Sequence, residues 1–156
     1  MLRHTHRPYR RRDKTREEKE VRMQMEFFMA MEHVPTMTAQ EHKIVVRNGK
    51  PFYYDPPELM AARQKLTDHL AAHRPEKWIG GPIELTTTWC FHTEDPRLDG
   101  TLKITKPDTD NLNKLLKDCM TQLGFWNDDA QVCREIIEKY WVKTSPAGIY
   151  VRVRQL

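Results

Sequence analysis

Four aspartates and a lysine are the residues of this chain whose types and spacing could do chemistry. Asp108 and Asp110 alternate in KPDTDNLNK, Lys114 follows the second of them by four positions, and Asp128 and Asp129 stand together in GFWNDDAQV. Grouped carboxylates offer oxygen ligands to a hard divalent cation, and Mg²⁺ needs only a few because it keeps several waters. An aspartate at a helix start also has a plainer role, capping orphan amides at the positive end of the dipole. That role covers one acid. It leaves unexplained two in alternation, a lysine beneath the second, and another acidic pair downstream. A carboxylate metal site and capping plus solvated surface charge both remain open at this point.

The elements that must position these groups follow from local pattern. Pro107 biases Lys106 toward extended backbone, where residues two apart share a side, so Asp108 and Asp110 are expected to face one ligand. Leu112, Leu115, Leu116, Cys119, Met120 and Leu123 recur at helical spacing, and Gly124 suits a left-handed stop. This predicts a helix over 111–123, with Trp126 beyond it either a core anchor, the preferred reading, or a ring that stacks near a nucleic acid. Such a helix is roughly 18 Å long, and a fully stretched linker over 124–129 reaches about 17 Å. Closing Asp129 onto Asp108 within one subunit therefore requires either a shorter helix or an extended linker laid back along it. The other solution is a dimer in which one chain's Asp128 and Asp129 complete its partner's site. The single-subunit closure is preferred here, because the glycine and tryptophan of GFWN can pin a returning linker.

Upstream, residues 1–22 are charged, poor in apolar side chains, and dense in arginine around Arg10, Arg11 and Arg12. Such a run cannot fold on its own; it is a solvated tail, or an arm adding phosphate contacts. The alternation of Met23, Met25, Phe27, Met29 and Met31 predicts a strand with core methionines, followed by a loop over 33–42. In KIVVRNGKPFYYD, Asn48-Gly49 between β-rich runs predicts a two-residue hairpin, and Pro51 makes its second arm an edge. Asp55 as N-cap, Pro56 at the first helical position and Glu58 as capping-box acid predict a helix. Its face is Leu59, Ala62, Leu66 and Leu70, and it stops before Pro75. His69 and His73 have the spacing of two imidazole ligands, but no acid or cysteine cluster joins them, and they read as an ordinary helix end. Ile83, Leu85, Thr87, Trp89 and Phe91 define a strand, VCREIIEKYWVK another, and IYVRVR a last one after the turn at 145–148. The expected fold is α+β: two helices packed on a mixed or mostly antiparallel sheet, in one domain over 23–156.

At 156 residues and net charge +4, the chain fits a single domain that tolerates a polyanionic partner without demanding one. No apolar run approaches a membrane span, and the basic N-terminus lacks the apolar stretch of a signal peptide. Cys90, Cys119 and Cys133 are widely spaced and read as reduced thiols, the expectation for a cytoplasmic protein.

KPDTDNLNK, followed after one helix by GFWNDDAQV, resembles the signature of the RusA family of Holliday junction resolvases, which cut four-way DNA junctions. The resemblance is strongest over residues 104–143 and looser over VPTMTAQEHKIVVRNGKPFYYDPPEL; the arginine-rich tail lies outside it. It implies a small α/β homodimer in which Asp108, Asp110 and Asp129 hold Mg²⁺, with Mn²⁺ as the other candidate, and Lys114 assists. Asp128 is then a supporting acid. Carboxylate-held Mg²⁺ can orient an attacking water and offset charge on a phosphodiester. Lys114 would serve the phosphate or leaving oxygen; its plainer role is a helix ion pair with Asp110 or Asp118. Asn111 and Gln131 either orient water or a ligand, or satisfy backbone groups. Where some members carry an arginine cluster before the first aspartate, this chain has Lys103 and Lys106, a difference that bears on junction affinity more than on chemistry. Two rivals follow: a DNA-binding protein without catalysis, and a metal-dependent nuclease on other branched or flapped DNA.

Overall fold

The computed structural model describes residues 22–36 and 43–156. The segment with Arg10, Arg11 and Arg12 lies outside the described residues, as does part of the loop at 33–42. Strands β1 (Gln24–Ala30), β4 (Ile83–His92), β5 (Val132–Val142) and β6 (Gly148–Gln155) form one sheet in the order β1-β6-β4-β5. β4 and β5 are parallel; the other two pairings are antiparallel. Between those parallel strands runs helix α2 (Thr109–Leu123), the crossover such a pair requires. Helix α1 (Pro57–Ala71) packs beside it. The sheet is mixed and the fold α+β, as expected.

One sheet face carries the core. Ile83, Leu85, Trp89 and Phe91 of β4, with Ile149, Val151 and Val153 of β6, join the buried side of α1 (Leu59, Leu66, Leu70) and of α2 (Leu112, Leu115, Leu116, Cys119, Met120). Met29 and Met31 are buried and Met25 and Phe27 pack against them, whereas Met23 is exposed. Cys90, Cys119 and Cys133 are unpaired.

Three local expectations are corrected. The predicted cap of α1 moves one residue on: Pro56 is the N-cap, with ψ 152° and no side-chain cap bond of its own, and Pro57 opens the helix. A residue before proline is kept out of helical backbone, so Pro56 cannot begin the turn itself. Helix α2 starts at Thr109, with Asp108 as N-cap, two residues earlier than expected. Asp110 is therefore inside the helix, and the extended-strand argument for its pairing with Asp108 does not apply. Third, the hairpin of β2 (Lys43–Arg47) and β3 (Lys50–Tyr54) forms with the predicted turn, Asn48 and Gly49 both at positive φ, but it is a separate two-stranded sheet.

Candidate active site at the two ends of one helix

The N-terminus of α2 gathers the first group. Asp108 has extended backbone and makes no side-chain cap hydrogen bond, so its exposed carboxylate is not occupied by the plain capping role. Asp110 lies in the first turn, and neither its side chain nor that of Lys114, one turn on, has a hydrogen bond or ion pair among the described residues. The Oδ1 of Asn111, the next residue along the helix, is buried without a partner. A buried acceptor of this kind is uncommon. Two free carboxylates beside an orphaned amide oxygen make an all-oxygen donor set, which suits a hard cation such as Mg²⁺.

The loop before Asp108 is held by a residue that sequence reasoning missed. Lys139, on β5, donates from Nζ to the carbonyls of Thr105 and Pro107, both at 2.8 Å. Leu102 bridges to Tyr140, and Lys103 N–H donates to the Lys139 carbonyl at 2.8 Å. Lys103 itself, expected to face DNA, is only 8% exposed. Its ammonium lies 3.9 Å from the Trp141 ring centroid and donates to Thr105 Oγ1, a packing role. Burial first, then the neighbouring Lys139, pulls its pKa below the usual lysine value. Lys106 and Lys114 remain exposed at this end.

Asn113, also missed, ties α2 to the sheet: its Oδ1 accepts from Thr87 Oγ1 at 2.8 Å and Trp89 Nε1 at 3.2 Å. Nothing in the 3.6-residue pattern marks an asparagine for burial. A paired signal was present in Thr87 and Trp89, whose polar atoms face the core and need a partner.

The second acidic pair sits elsewhere. Asp128 caps a single 3-10 turn, Asp129–Gln131, accepting from Ala130 N–H at 2.8 Å. Gln131 Oε1 accepts from the Asn127 and Asp128 amides, and its Nε2 donates to the carbonyls of Ile79 and Gly81. Gln131 thus satisfies backbone groups. Asp129 is half-buried; its carbonyl accepts from Val132 N–H, and its carboxylate carries no hydrogen bond among the described residues. With Asp128 it lines an open hollow of ≈ 590 Å³, shared with Asp118, Thr121, Gln122 and Arg63.

Those neighbours fix its distance from Asp108. They lie on the last turns of α2, roughly 15–20 Å along the axis from the N-cap. The strand gives the same measure independently: Val132, next to the turn, and Lys139, which holds the Asp108 loop, are seven steps apart in β5, about 23 Å. No group of three or more acids, histidines or cysteines able to hold a metal occurs among the described residues. The preferred single-subunit closure is therefore not what the fold does. Trp126 does pin the linker, as expected of a core anchor, but at the far end: it bridges to Ile79 and donates from Nε1 to Thr121 Oγ1 at 2.7 Å. His73 stacks its ring on Phe27, with centroids 4.1 Å apart, a packing role at the end of α1.

Between the two groups a polar stripe of α2 runs through exposed Asp110 and Lys114, half-buried Asp118 and exposed Gln122, four apart. On the opposite face of the sheet, Glu84 is buried beneath three arginines: Arg134 at 2.8 Å, Arg154 at 3.0 Å and Arg152 at 3.8 Å.

Comparison with known proteins adds the chain's relatives. The family described as Endodeoxyribonuclease RusA matches residues 32–154, a span that contains both acidic groups. A protein of Lactococcus phage r1t named Crossover junction endodeoxyribonuclease rusA is 30% identical over 112 residues, covering 70% of this chain and 83% of that protein. The Uncharacterized protein YqaN of Bacillus subtilis (strain 168) is 27% identical over 118 residues, covering 69% and 82%.

Proposed function

The chain belongs to the RusA family of endodeoxyribonucleases, and from that premise we propose that it is a Mg²⁺-dependent nuclease that cuts four-way DNA junctions in recombination and repair, acting as a homodimer. The observation that carries the reading is the uncapped Asp108 beside Asp110 and the orphaned Asn111 Oδ1. Those three side chains would hold the cation, with Mn²⁺ an acceptable substitute. When bound, it supplies charge that offsets the phosphodiester and favours attack by water. Lys114 adds a fixed cation for the phosphate or leaving oxygen. Lys106, and the arginines Arg10, Arg11 and Arg12 of the N-terminal segment, contribute phosphate contacts that set affinity. Lys139 is a positioning residue, acting through the carbonyls of Thr105 and Pro107. With such a substrate the protein would act in the cytoplasm, encoded by a bacterium or by a phage.

The separation along α2 supports a site completed by two chains. A two-fold axis near Lys114 and Asp118 would bring each Asp129 to the other chain's Asp108 and Asp110, closing both sites together. Two sites in one particle also suit a substrate in which two strands must be cut. Asp128, engaged in its cap, supports Asp129 by holding the turn. The second reading is a nuclease on other branched DNA with the same chemistry.

The test is cleavage of labelled four-way junctions, flaps and linear duplex with and without Mg²⁺. Junction cutting should require the metal and disappear in Asp110→Asn and Asp129→Asn, with junction binding retained. Cutting by both variants at the wild-type rate would rule out the metal site, and faster cutting of flaps than junctions would select the second reading.

A further inference from the structure

Every residue of β2 and β3 is exposed, unlike any other strand or helix among the described residues. Tyr53 is 71% and Val46 67% exposed, with Ile44 and Phe52 also open. Two antiparallel strands alone are marginal in water, and a contiguous exposed apolar surface commonly marks a binding site. The register sorts this ribbon into two unlike faces. Lys43 pairs with Tyr54, Val45 with Phe52 and Arg47 with Lys50, and directly opposed residues share a face. One face therefore carries all three cations, interleaved with two aromatic rings. The other holds Ile44, Tyr53, Val46 and Pro51 and no charge. Residues 43–54 contain no acid.

The base of the ribbon adjoins the second acidic group. Tyr53 and Tyr54 line a hollow with Met60, Arg63 and Gln122, and Arg63 and Gln122 also line the hollow of Asp128 and Asp129. A ligand held by the ribbon would pass directly to Asp129.

Resting on the junction reading above, we infer that the β2–β3 ribbon is the element that recognises the branch point of four-way DNA. Its cationic face lies on backbone phosphates, and its uncharged face lies against base-pair faces laid open at the crossing. A linear duplex offers such a ribbon phosphates alone, because its base-pair faces are stacked away. A branch point offers both surfaces, and stacking on a bared base is tolerant of sequence because every base has a π-face. The ribbon therefore prefers branched to linear DNA without reading sequence. The chain itself is net positive, at +4, so charge favours a polyanion over a second copy as occupant.

The experiment uses the full chain in chelator, so that no strand is cut, with a four-way junction and a linear duplex of matched sequence. One variant combines Val46→Ser with Tyr53→Ala; another combines Lys43→Ala, Arg47→Ala and Lys50→Ala. All are exposed positions outside the core. The apolar variant should bind the junction about tenfold more weakly or worse and the duplex as before. The cationic variant should weaken both and lower the slope of log affinity against log salt by up to about 3. A 2-aminopurine at the branch point should brighten with wild type and stay dark with the apolar variant. Unchanged junction binding and fluorescence in that variant would overturn the inference and leave the junction reading standing. So would a fall from dimer to monomer on sedimentation as its main defect, which would assign the ribbon to a second copy. A wild-type protein that binds junction no better than duplex would overturn the junction reading, and this inference with it.

Discussion

Asp108 and Asp128 both stand with extended backbone at the first position of a helical turn, and only one uses its side chain there. Asp128 accepts from Ala130 N–H within a capping box; Asp108 caps nothing. A cap contributes about 1 kcal/mol, whereas an unengaged aspartate at a helix start contributes at most the dipole term, about 0.3–1 kcal/mol and screened by salt. In urea unfolding at moderate salt, Asp128→Ala should therefore lose about 1 kcal/mol and Asp108→Ala less than about half of that. Cleavage should show the opposite order, abolished in Asp108→Ala and retained in part by Asp128→Ala. A stability loss in Asp108→Ala equal to that of Asp128→Ala would return Asp108 to an ordinary cap.

At the scale of elements, side-chain ties between neighbours hold the site in register. Asn113 joins α2 to β4, Lys139 joins β5 to the loop before Asp108, and Lys117 pairs with Glu135 between α2 and β5. On the far face of the sheet, Glu84 of β4 gathers Arg134 of β5 with Arg152 and Arg154 of β6. The hydrogen bond from Arg134, foremost, then those of Arg154 and their charges, hold the Glu84 carboxyl below its usual pKa against the opposing effect of burial. A depressed folded pKa means that the unfolded chain takes up the proton first. The stabilisation is therefore complete above the ordinary carboxylate pKa near 4.5 and is lost as pH falls below it through the folded value. Glu84→Gln should lower stability at pH 7, because three guanidinium groups lose their shared anion, and should flatten the fall in stability on the acid side. Urea titrations from about pH 7 to 3 read both effects. Wild type and variant losing stability in parallel would show that Glu84 is not a source of the acid sensitivity.

For the whole molecule, the question is which chain completes which site. Asp108→Asn and Asp129→Asn proteins should each be inactive alone. If sites are shared between chains, mixing the two and allowing exchange creates dimers in which one site has both mutated halves and the other has neither. Single-strand nicking of a junction should then return in the mixture, toward about a quarter of the wild-type site count at equal mixing, since half the dimers are mixed and each has one intact site of two. Sites built within one chain predict no recovery at any mixing ratio. The same mixture measured before exchange provides the baseline.

The candidate side chains, their grouping around one helix, and the class of the fold were legible in the chain by itself. Alternation along β1, β4 and β6, the apolar stripe of α2 and the Asn48-Gly49 turn are local regularities, set by the periods of strand and helix. The motif residues were likewise visible as types and spacings. What only the tertiary structure decided were distances between elements. The pull of Trp126 to Ile79 and Thr121 put Asp129 at the far end of α2, where the linker's length alone allowed either closure. The burial of Lys103 under Trp141, the hold of Lys139 on two carbonyls, and the separation of the β2–β3 ribbon from the main sheet have the same origin. Each depends on which surfaces meet across long stretches of chain. Period and spacing say which side of an element faces inward, and packing alone says what it faces.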